Sequence, residues 1–307
     1  MCDICKLIRK NTIMLHFDDI VFGPIFSRRL GSSLGVNILP SKGKLCNFDC
    51  VYCECGWNKD GIAERRFPTL AEVEEALEKK MSKACEEGVQ IDSITFSGNG
   101  EPTMNPEFPE IIDATLRMRD KYYPEAKVSV LSNAFLAARE AVADALAKVD
   151  NPILKIDASS DELIAKINKP CGPYHLDKVV ESLRRFDGNF VLQTMFLKSP
   201  EFNTAEPEAL AAWHDIVRDL RPSQVMVYTI DRETPDKSLG KYTIDEMKSF
   251  YITSCFNESR YNGILCIVLR CLINYVHRLI LTVTEWQGSA RCQKCRKCKH
   301  KGTLTVA

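Results

Sequence analysis

The sequence predicts an α/β fold in which parallel strands are joined by helices. Through the middle of the 307-residue chain, short apolar runs typical of β-strands alternate with longer stretches of helical periodicity. Parallel strands need long crossover connections, and the helical stretches supply one between each pair of successive runs. The hydrophobic content of 45% and the charged content of 27% are ordinary for a soluble globular protein.

The first crossover illustrates the helical periodicity. Apolar side chains recur at helical spacing at five positions: Leu70, Val73, Ala76, Leu77 and Met81. Thr69 is the predicted N-cap of this helix, and Gly88 is the predicted stop at its carboxyl end.

The other elements follow in the same alternating order. Six runs are predicted as strands, at residues 36–39, 91–96, 127–131, 153–156, 190–195 and 224–230. Five intervening stretches are predicted as helices, at residues 70–87, 106–122, 137–149, 176–186 and 207–220. In parallel barrels the active-site groups lie at the carboxyl ends of the strands, so polar side chains at these places are candidate site residues.

Three cysteines on one short loop are the most specific chemical feature of the chain. Cys46, Cys50 and Cys53 have the spacing C-x3-C-x2-C, and Tyr52 stands directly before the third cysteine. Three thiolates can hold three irons of a four-iron cluster and leave the fourth iron open for chemistry. Zinc and disulfides are the alternatives. Structural zinc prefers paired cysteine knuckles with a fourth ligand, and disulfides are disfavoured because no signal peptide is evident.

The cysteine loop resembles that of the radical S-adenosylmethionine (radical SAM) superfamily. The preceding motifs Phe22-Gly23-Pro24, Ser27-Arg28-Arg29-Leu30-Gly31 and Gly35-Val36-Asn37-Ile38-Leu39-Pro40 sharpen the resemblance. They are similar to a subgroup related to wyosine-tRNA synthesis enzymes and to nitrogenase- and molybdenum-cofactor maturases. The resemblance covers roughly residues 20–245 and implies a six-stranded parallel partial (β/α)6 barrel, a partial TIM barrel, with a C-terminal extension.

The same resemblance implies the cofactors and the reaction. A [4Fe-4S] cluster and S-adenosylmethionine (SAM) are expected, with reductive cleavage of SAM to a 5′-deoxyadenosyl radical that abstracts hydrogen from a substrate. A reductant of the flavodoxin or ferredoxin type is expected because such clusters work at low potential. The substrate candidates are a tRNA base, a cofactor precursor and a peptide.

The loop after the second predicted strand matches the glycine-rich motif that holds the SAM amino group in this family. Gly98, Gly100 and Glu101 form the match, and Asn99 departs from it by separating the glycines. Which glycine makes a close contact is therefore open. A tight turn is the alternative interpretation.

Polar residues at the ends of later strands are the other expected SAM contacts. Ser132 and Asn133 suit a carboxylate or a ribose hydroxyl, and Asp157 resembles the residue that contacts ribose. Gln193 is expected to face SAM or substrate, with a backbone partner as the alternative. Tyr52 is expected against the adenine, or simply packed in the loop.

Residues next to these candidates have different expected roles. Lys155 is expected to face the barrel interior beside Asp157, and Thr194 to point away from it. Cys55 is expected to be a free thiol near the cluster and not a fourth ligand. The loop at residues 169–173 is expected to flank the substrate opening.

The C-terminal part differs in character from the rest. Residues 264–283 form an apolar run, but Arg270, Asn274, His277 and Arg278 favour an amphipathic helix over a membrane span. Cys292, Cys295 and Cys298 have C-x2-C-x2-C spacing and, with His300, suit a second cluster or a zinc ion, or else lie in a disordered basic tail. We expect an N-terminal extension at 1–19, a radical SAM core at 20–247 and a divergent extension at 248–307.

Composition limits the classes of function. The formal net charge is zero, which favours neither a nucleic-acid nor a membrane partner, and we expect a cytoplasmic protein. A non-catalytic iron–sulfur or zinc protein in electron transfer or binding is the alternative to an enzyme. Only the enzyme needs an open iron and a SAM pocket built from Gly98, Gly100, Glu101 and Asn133.

Overall fold

The fold is built on one large, mainly parallel sheet. A computed structural model describes residues 17–27, 30–60, 66–255, 266–270 and 281–282 of the chain. Its strands are β1 (Val21–Ser27), β2 (Gly31–Val36), β3 (Ser93–Phe96), β4 (Lys127–Ser132), β5 (Asn151–Lys155), β6 (Val191–Met195), β7 (Lys198–Ser199), β8 (Phe202–Asn203), β9 (Gln224–Tyr228), β10 (Cys266–Arg270) and β11 (Leu281–Thr282). Its α-helices are α1 (Leu70–Glu86), α2 (Phe108–Tyr122), α3 (Glu140–Lys148), α4 (Asp161–Ile167), α5 (Leu176–Arg184), α6 (Pro207–Leu220) and α7 (Ile244–Cys255).

The strand order confirms the predicted fold class. Within the described residues the large sheet has nine strands in the order β1-β2-β3-β4-β5-β6-β9-β10-β11. The ladders from β2 to β10 are all parallel, whereas β1 and β11 pair antiparallel at the two edges. Five of the six predicted strands correspond to β3, β4, β5, β6 and β9. The first predicted strand meets β2 only at Val36, and β10 adds a seventh parallel strand.

Local sequence explains the first crossover helix. Thr69 caps α1, and a capping box with Glu72 satisfies backbone donors at both residues. Gly88 follows the helix at φ +66°, a conformation that costs glycine little, so both predicted ends are confirmed. The buried face of α1 consists of Val73, Leu77, Met81 and Ala84.

The main core lies between the sheet and its helices. Residues of β3 and β4 such as Ile94 and Val128 are fully buried in it. Thr194 of β6 also points to this side, because its hydroxyl donates to the Ile156 carbonyl at 2.7 Å and accepts from Trp213 Nε1 at 3.1 Å. The prediction that Thr194 points away from the barrel interior is therefore confirmed.

The amino-terminal strands differ from the prediction. The first parallel strand is Gly31–Val36, not residues 36–39, and the unpredicted β1 pairs with it. Asn37 explains the early end, because its side chain accepts from the Leu39 amide and donates to the carbonyls of Phe17 and Leu39. After Val36, these side-chain bonds take the place of the backbone hydrogen bonds between strands, and β2 ends there.

Two later segments also differ. Helix α4 (Asp161–Ile167) was not predicted, and Ser160 caps its start. The helix expected over residues 264–283 is wrong at Cys266–Arg270, which pairs parallel with β9. The β-branched pair Ile267-Val268 suits a strand, and the edge of β9 offers unpaired backbone groups. Cys292, Cys295, Cys298 and His300 lie outside the described residues.

The helices of the described part of the chain are too short or too polar to cross a membrane.

Candidate functional site

The loop that carries Cys46, Cys50 and Cys53 lies at the carboxyl end of the parallel sheet. Leu45 donates to the Asn99 carbonyl at 2.8 Å and accepts from the Glu101 amide at 3.2 Å, so the loop begins as a parallel bridge to the residues after β3. Farther along, Val51 donates to the Ile167 carbonyl at the end of α4 at 2.9 Å.

Two further backbone contacts fix the rest of the loop. The Asp236 amide, beyond β9, donates to the Val51 carbonyl at 3.2 Å. The Cys171 amide donates to the Asn47 carbonyl at 2.8 Å. The cysteine loop is therefore attached to three separate connections of the barrel.

All three thiols are free, and their surroundings differ. A hydrogen bond with Cys55 lowers the pKa of Cys53 to about 6. The positive charge of Lys44 acts in the same direction, and burial opposes the shift. Burial and the neighbouring Cys53 raise the pKa of Cys50 to about 11, and burial with nearby Glu101 raises that of Cys46 well above its usual value. Cys55 lies beside Cys53 as a free thiol, with its sulfur 3.6 Å from the Gly98 carbonyl oxygen.

A buried lysine supports the loop from within. The Lys44 side chain is 1% exposed, and its Nζ donates to Asp49 Oδ1 and to the Gly56 carbonyl, each at 3.0 Å. Burial alone would lower the pKa of Lys44, but Cys53, Cys46, Cys50 and Asp49 together raise it above the usual lysine value.

The donor set at this loop fits an iron–sulfur cluster. Three thiols without disulfide partners share one loop, and iron–sulfur clusters are held by cysteine thiolates. Two buried polar atoms beside the thiols, Asn47 Nδ2 and Asn168 Oδ1, lack a hydrogen-bond partner. Over the described residues, no three His, Cys, Asp or Glu side chains converge as a single metal ion would need.

Glu101 joins the ends of β3 and β4. Its side chain is buried, and Oε1 accepts from the Thr103 hydroxyl at 2.6 Å and the Ser132 hydroxyl at 2.8 Å. Oε2 accepts from the Asn133 amide at 2.7 Å. Burial raises the pKa of Glu101 even though these donors oppose the shift.

Asn133 carries this connection to the cysteine loop. Its Nδ2 donates to Asn47 Oδ1 at 2.6 Å and lies 3.8 Å from Cys46 Sγ. The structure thus brings the predicted residues Glu101, Ser132 and Asn133 together beside the first cysteine.

The two predicted glycines are closely packed against protein atoms. Gly100 has φ +142°, and a Cβ there would lie 1.8 Å from the Leu45 carbonyl oxygen. A Cβ on Gly98 would lie 2.1 Å from Asn37 Oδ1. Both glycines therefore permit close approach of the chain to itself.

Asn99, which separates the glycines, uses its side chain to bond other parts of the backbone. It is fully buried, and its Nδ2 donates to the Phe17 and Pro40 carbonyls at 2.9 Å. Its Oδ1 accepts from the Phe17 amide at 2.8 Å. Asn99 thus fixes the segment that leads into β1.

Tyr52, Asp157 and Lys155 form a second polar network. The Tyr52 hydroxyl donates to Asp157 Oδ2 and accepts from Lys155 Nζ at 2.9 Å. Asp157 Oδ1 accepts from the Met195 amide at 2.8 Å, so both carboxylate oxygens have protein donors. Burial would lower the pKa of Lys155, but Asp157 and Tyr228 raise it.

Asn168 connects this network to the cluster loop. Its Nδ2 lies 2.7 Å from Asp157 Oδ2, 3.2 Å from the Tyr52 hydroxyl and 3.4 Å from Cys50 Sγ. Gln193 is buried in β6, in register with Lys155 on one side and Met226 on the other.

A cavity of about 280 Å³ lies next to the cysteine loop. Hydroxyl and aromatic side chains from the strands and their following loops line it, including Phe22, Ser33, Tyr52, Thr95, Ser97 and Tyr228. Of the predicted site residues only Tyr52 is among the lining residues. Tyr52 belongs to both the cysteine loop and the cavity wall, so a small molecule in this cavity would contact the loop.

Sequence reasoning missed Lys44, Asn168 and Asn37. The surroundings of Lys44, Pro40-Ser41-Lys42-Gly43, are typical of an exposed turn, and Asn168 ends a helix that was not predicted. The residues at 169–173 do lie beside the cysteine loop, because Pro170 bridges to Phe48. Whether they flank a substrate opening stays a prediction.

Comparison with known proteins identifies relatives of the chain. The family model of the radical SAM superfamily matches residues 41–213. The UPF0026 protein of Methanocaldococcus jannaschii is 30% identical over 244 residues, which are 78% of this chain and 71% of that protein.

Solved structures share the fold. SuiB of Streptococcus suis bound to S-adenosylmethionine superposes with a TM-score of 0.55 at 16% identity, over 75% of this chain and 49% of SuiB. TYW1 with a lysine–pyruvate adduct superposes with a TM-score of 0.54 at 14% identity, over 75% of this chain and 76% of TYW1. This chain therefore spans about half the length of SuiB and about three quarters of TYW1.

Proposed function

The chain belongs to the radical SAM superfamily, and we propose that it cleaves S-adenosylmethionine reductively and abstracts a hydrogen atom from a substrate. The observation that carries the proposal is the group of three free thiols at the carboxyl end of the parallel sheet. Parallel barrels build their active sites at this end. The cavity beside Tyr52 supplies a space for SAM and substrate.

Cys46, Cys50 and Cys53 would hold a [4Fe-4S] cluster with one iron free of protein ligands. When bound, the cluster supplies the electron that cleaves SAM to methionine and a 5′-deoxyadenosyl radical. The protein holds the reacting groups in place and excludes water from them. A reductant of the flavodoxin or ferredoxin type, in a cytoplasmic setting, would supply the electron to the cluster.

The predicted SAM contacts divide into two groups. Tyr52 lines the cavity and Gln193 lies buried in β6, and we propose both as direct contacts. Glu101 and Asp157 already accept protein hydrogen bonds on both carboxylate oxygens, which supports a positioning role for them. Ser132 and Asn133 would then present polar groups held in place by Glu101, and Gly98 and Gly100 would present backbone groups.

The class of substrate is a tRNA base, a cofactor precursor or a peptide. The TYW1 structure contains a lysine–pyruvate adduct, and Lys155 is the lysine that this chain holds beside Tyr52. A lysine must lose its proton before it can form an imine. Because Asp157 raises the pKa of Lys155, we propose that Lys155 remains a cation and binds or orients an anionic or aromatic group. We assign the catalytic core to residues 20–247, with extensions at 1–19 and 248–307.

Anaerobic reconstitution tests the proposal. The protein is loaded with iron and sulfide and reduced with dithionite in the presence of SAM, and 5′-deoxyadenosine is quantified. We expect product from the wild type and from Cys85→Ala, which removes an exposed thiol on α1, and none from Cys50→Ala.

Other outcomes have defined meanings. A complete cluster without SAM cleavage, with and without candidate substrates, would favour a non-catalytic iron–sulfur protein. Zinc bound in place of iron would contradict the proposal.

A further inference from the structure

We propose that Lys44 is a positioning residue that shapes the cysteine loop and raises the reduction potential of its cluster. The inference rests on the proposed function, since it concerns the cluster assigned to Cys46, Cys50 and Cys53. Lys44 is not a ligand and acts through the loop that surrounds it.

Lys44 joins two parts of the loop segment. Its ammonium donates to Asp49, between the first and second cysteines, and to the Gly56 carbonyl, beyond the third. Asp49 Oδ1 also accepts from the Asn58 amide at 2.8 Å. One buried cation therefore fixes the spacing between the start and the end of the segment that carries all three thiols.

The remaining contacts of this centre strengthen the same arrangement. The Asp49 amide donates to the Asn168 carbonyl at 2.9 Å, and Asn58 Nδ2 donates to the Cys46 and Phe48 carbonyls at 3.0 Å. The loop is thus held by a charged pair and its hydrogen-bond partners.

Burial of Lys44 has an electrostatic consequence. An isolated buried ammonium is costly, and a structure retains one only where partners compensate for lost hydration. Asp49, the charged partner, is 26% exposed, so water screens its carboxylate more than it screens Lys44, which is 1% exposed. The positive charge is therefore the less screened member of the pair, and both groups that it contacts, Asp49 and the Gly56 carbonyl, belong to the segment that carries the three thiols.

The sign of the effect on a cluster follows directly. Reduction adds one negative charge to the cluster, and a nearby buried cation stabilises that added charge. Charge and hydrogen bonds near the sulfurs are known determinants of cluster potentials. Lys44 should raise the potential, and Asp49 should lower it.

The test compares midpoint potentials of reconstituted proteins in the absence of SAM and substrate. Iron and sulfide are quantified first, and the reduced cluster is then followed by electron paramagnetic resonance during a redox titration. We expect Lys44→Met to lower the equilibrium constant for reduction at least tenfold, which is about 59 mV for one electron. Asp49→Asn should shift the potential in the opposite direction. Lys42→Met, which removes an exposed lysine two residues away, should leave it unchanged.

The two opposite shifts separate electrostatics from a loosened loop. Shifts in the same direction for Lys44→Met and Asp49→Asn, or an unchanged potential in Lys44→Met, would overturn the inference. If Lys44→Met does not assemble a cluster, Lys44→Arg should restore assembly, and Asp49→Asn alone must still raise the potential. A wild-type protein that binds no iron–sulfur cluster would instead contradict the proposed function.

Discussion

The side chain of Asn99 exchanges two hydrogen bonds with the backbone of Phe17, accepting from its amide at 2.8 Å and donating to its carbonyl at 2.9 Å. The side-chain amide of Asn99 thus pairs with the Phe17 backbone in the way that the backbone of a neighbouring strand would. It attaches the segment before β1 to the loop after β3. The residue that interrupts the expected pair of adjacent glycines therefore has a structural role of its own, which is to hold Phe17.

Replacement of Asn99 should release this attachment. Asn99→Ala leaves the Phe17 amide and carbonyl without these partners, and we expect a loss of about 1–3 kcal/mol in the free energy of unfolding. Urea denaturation of the cluster-free protein measures the loss. Asn189→Ala, at an exposed position, is the control and should change stability little. An equal effect of both substitutions would contradict this account of Asn99.

A methyl group on Gly100 should displace the cysteine loop. The Cβ of Gly100→Ala would lie 1.8 Å from the Leu45 carbonyl oxygen, and the backbone at φ +142° is unfavourable for alanine. The conformation alone costs about 1–3 kcal/mol, and the contact adds to it. We expect reduced cluster assembly, measured as iron and sulfide per chain. Gly172→Ala, which meets no atom within 4 Å, should assemble normally.

Replacement of Glu101 by glutamine should destabilise the protein. In Glu101→Gln the new NH2 group would face the Ser132 or Thr103 hydroxyls or the Asn133 amide, and one buried donor would lose its acceptor. The expected loss is about 1–3 kcal/mol in the free energy of unfolding, with lower iron content because Asn133 contacts the cysteine loop. Glu110→Gln, on α2, is the comparison. Unchanged stability and iron content in Glu101→Gln would show that Glu101 does not position this loop.

Asp150 should make stability depend on pH in the acid range. Burial opposes its ionisation, but the Val128 amide at 2.9 Å and the cations of Lys127 and Arg119 lower its pKa. A carboxyl group whose pKa is lower in the folded state stabilises the fold above its unfolded pKa, about 3.9. This contribution should decrease as pH falls below that value toward the folded pKa.

Urea denaturation at pH 7 and in steps below pH 5 measures this contribution. Asp150→Asn should lower the free energy of unfolding by about 1–3 kcal/mol at pH 7 and reduce the pH dependence. Asp144→Asn, whose side chain is exposed in a loose pair with Arg185, should retain the wild-type pH dependence. A wild-type slope in Asp150→Asn would assign the acid sensitivity to other carboxylates.

The parallel architecture was predictable because its information is local. Apolar runs at residues 91–96 and 127–131 identified β3 and β4, and the helical spacing of apolar residues between Thr69 and Gly88 identified α1. Strand β1 was harder to predict from sequence, because Gly23-Pro24 interrupts it and its partner β2 begins with small residues. Its stability comes from pairing, which a single stretch of sequence does not display.

The candidate site divides in the same way. The spacing of Cys46, Cys50 and Cys53 identifies the thiol loop from sequence alone. That these three cysteines bind the cluster stays a prediction. Lys44 and Asn168 were missed because their roles depend on tertiary contacts. Lys44 is buried where it bonds to Asp49 and Gly56, and Asn168 reaches Cys50 from 118 residues farther along the chain.

The three backbone attachments of the cysteine loop have a consequence for how cluster loss relates to unfolding. Leu45 and Val51 bond to connections after β3, α4 and β9, so the loop opens only when those parts of the barrel open. Amide hydrogen exchange at Leu45 and Val51 should therefore be slow in the cluster-free protein and close to the rate for global opening. A chain of this kind should remain folded after its iron is removed, in contrast to small metal domains whose folding requires the metal.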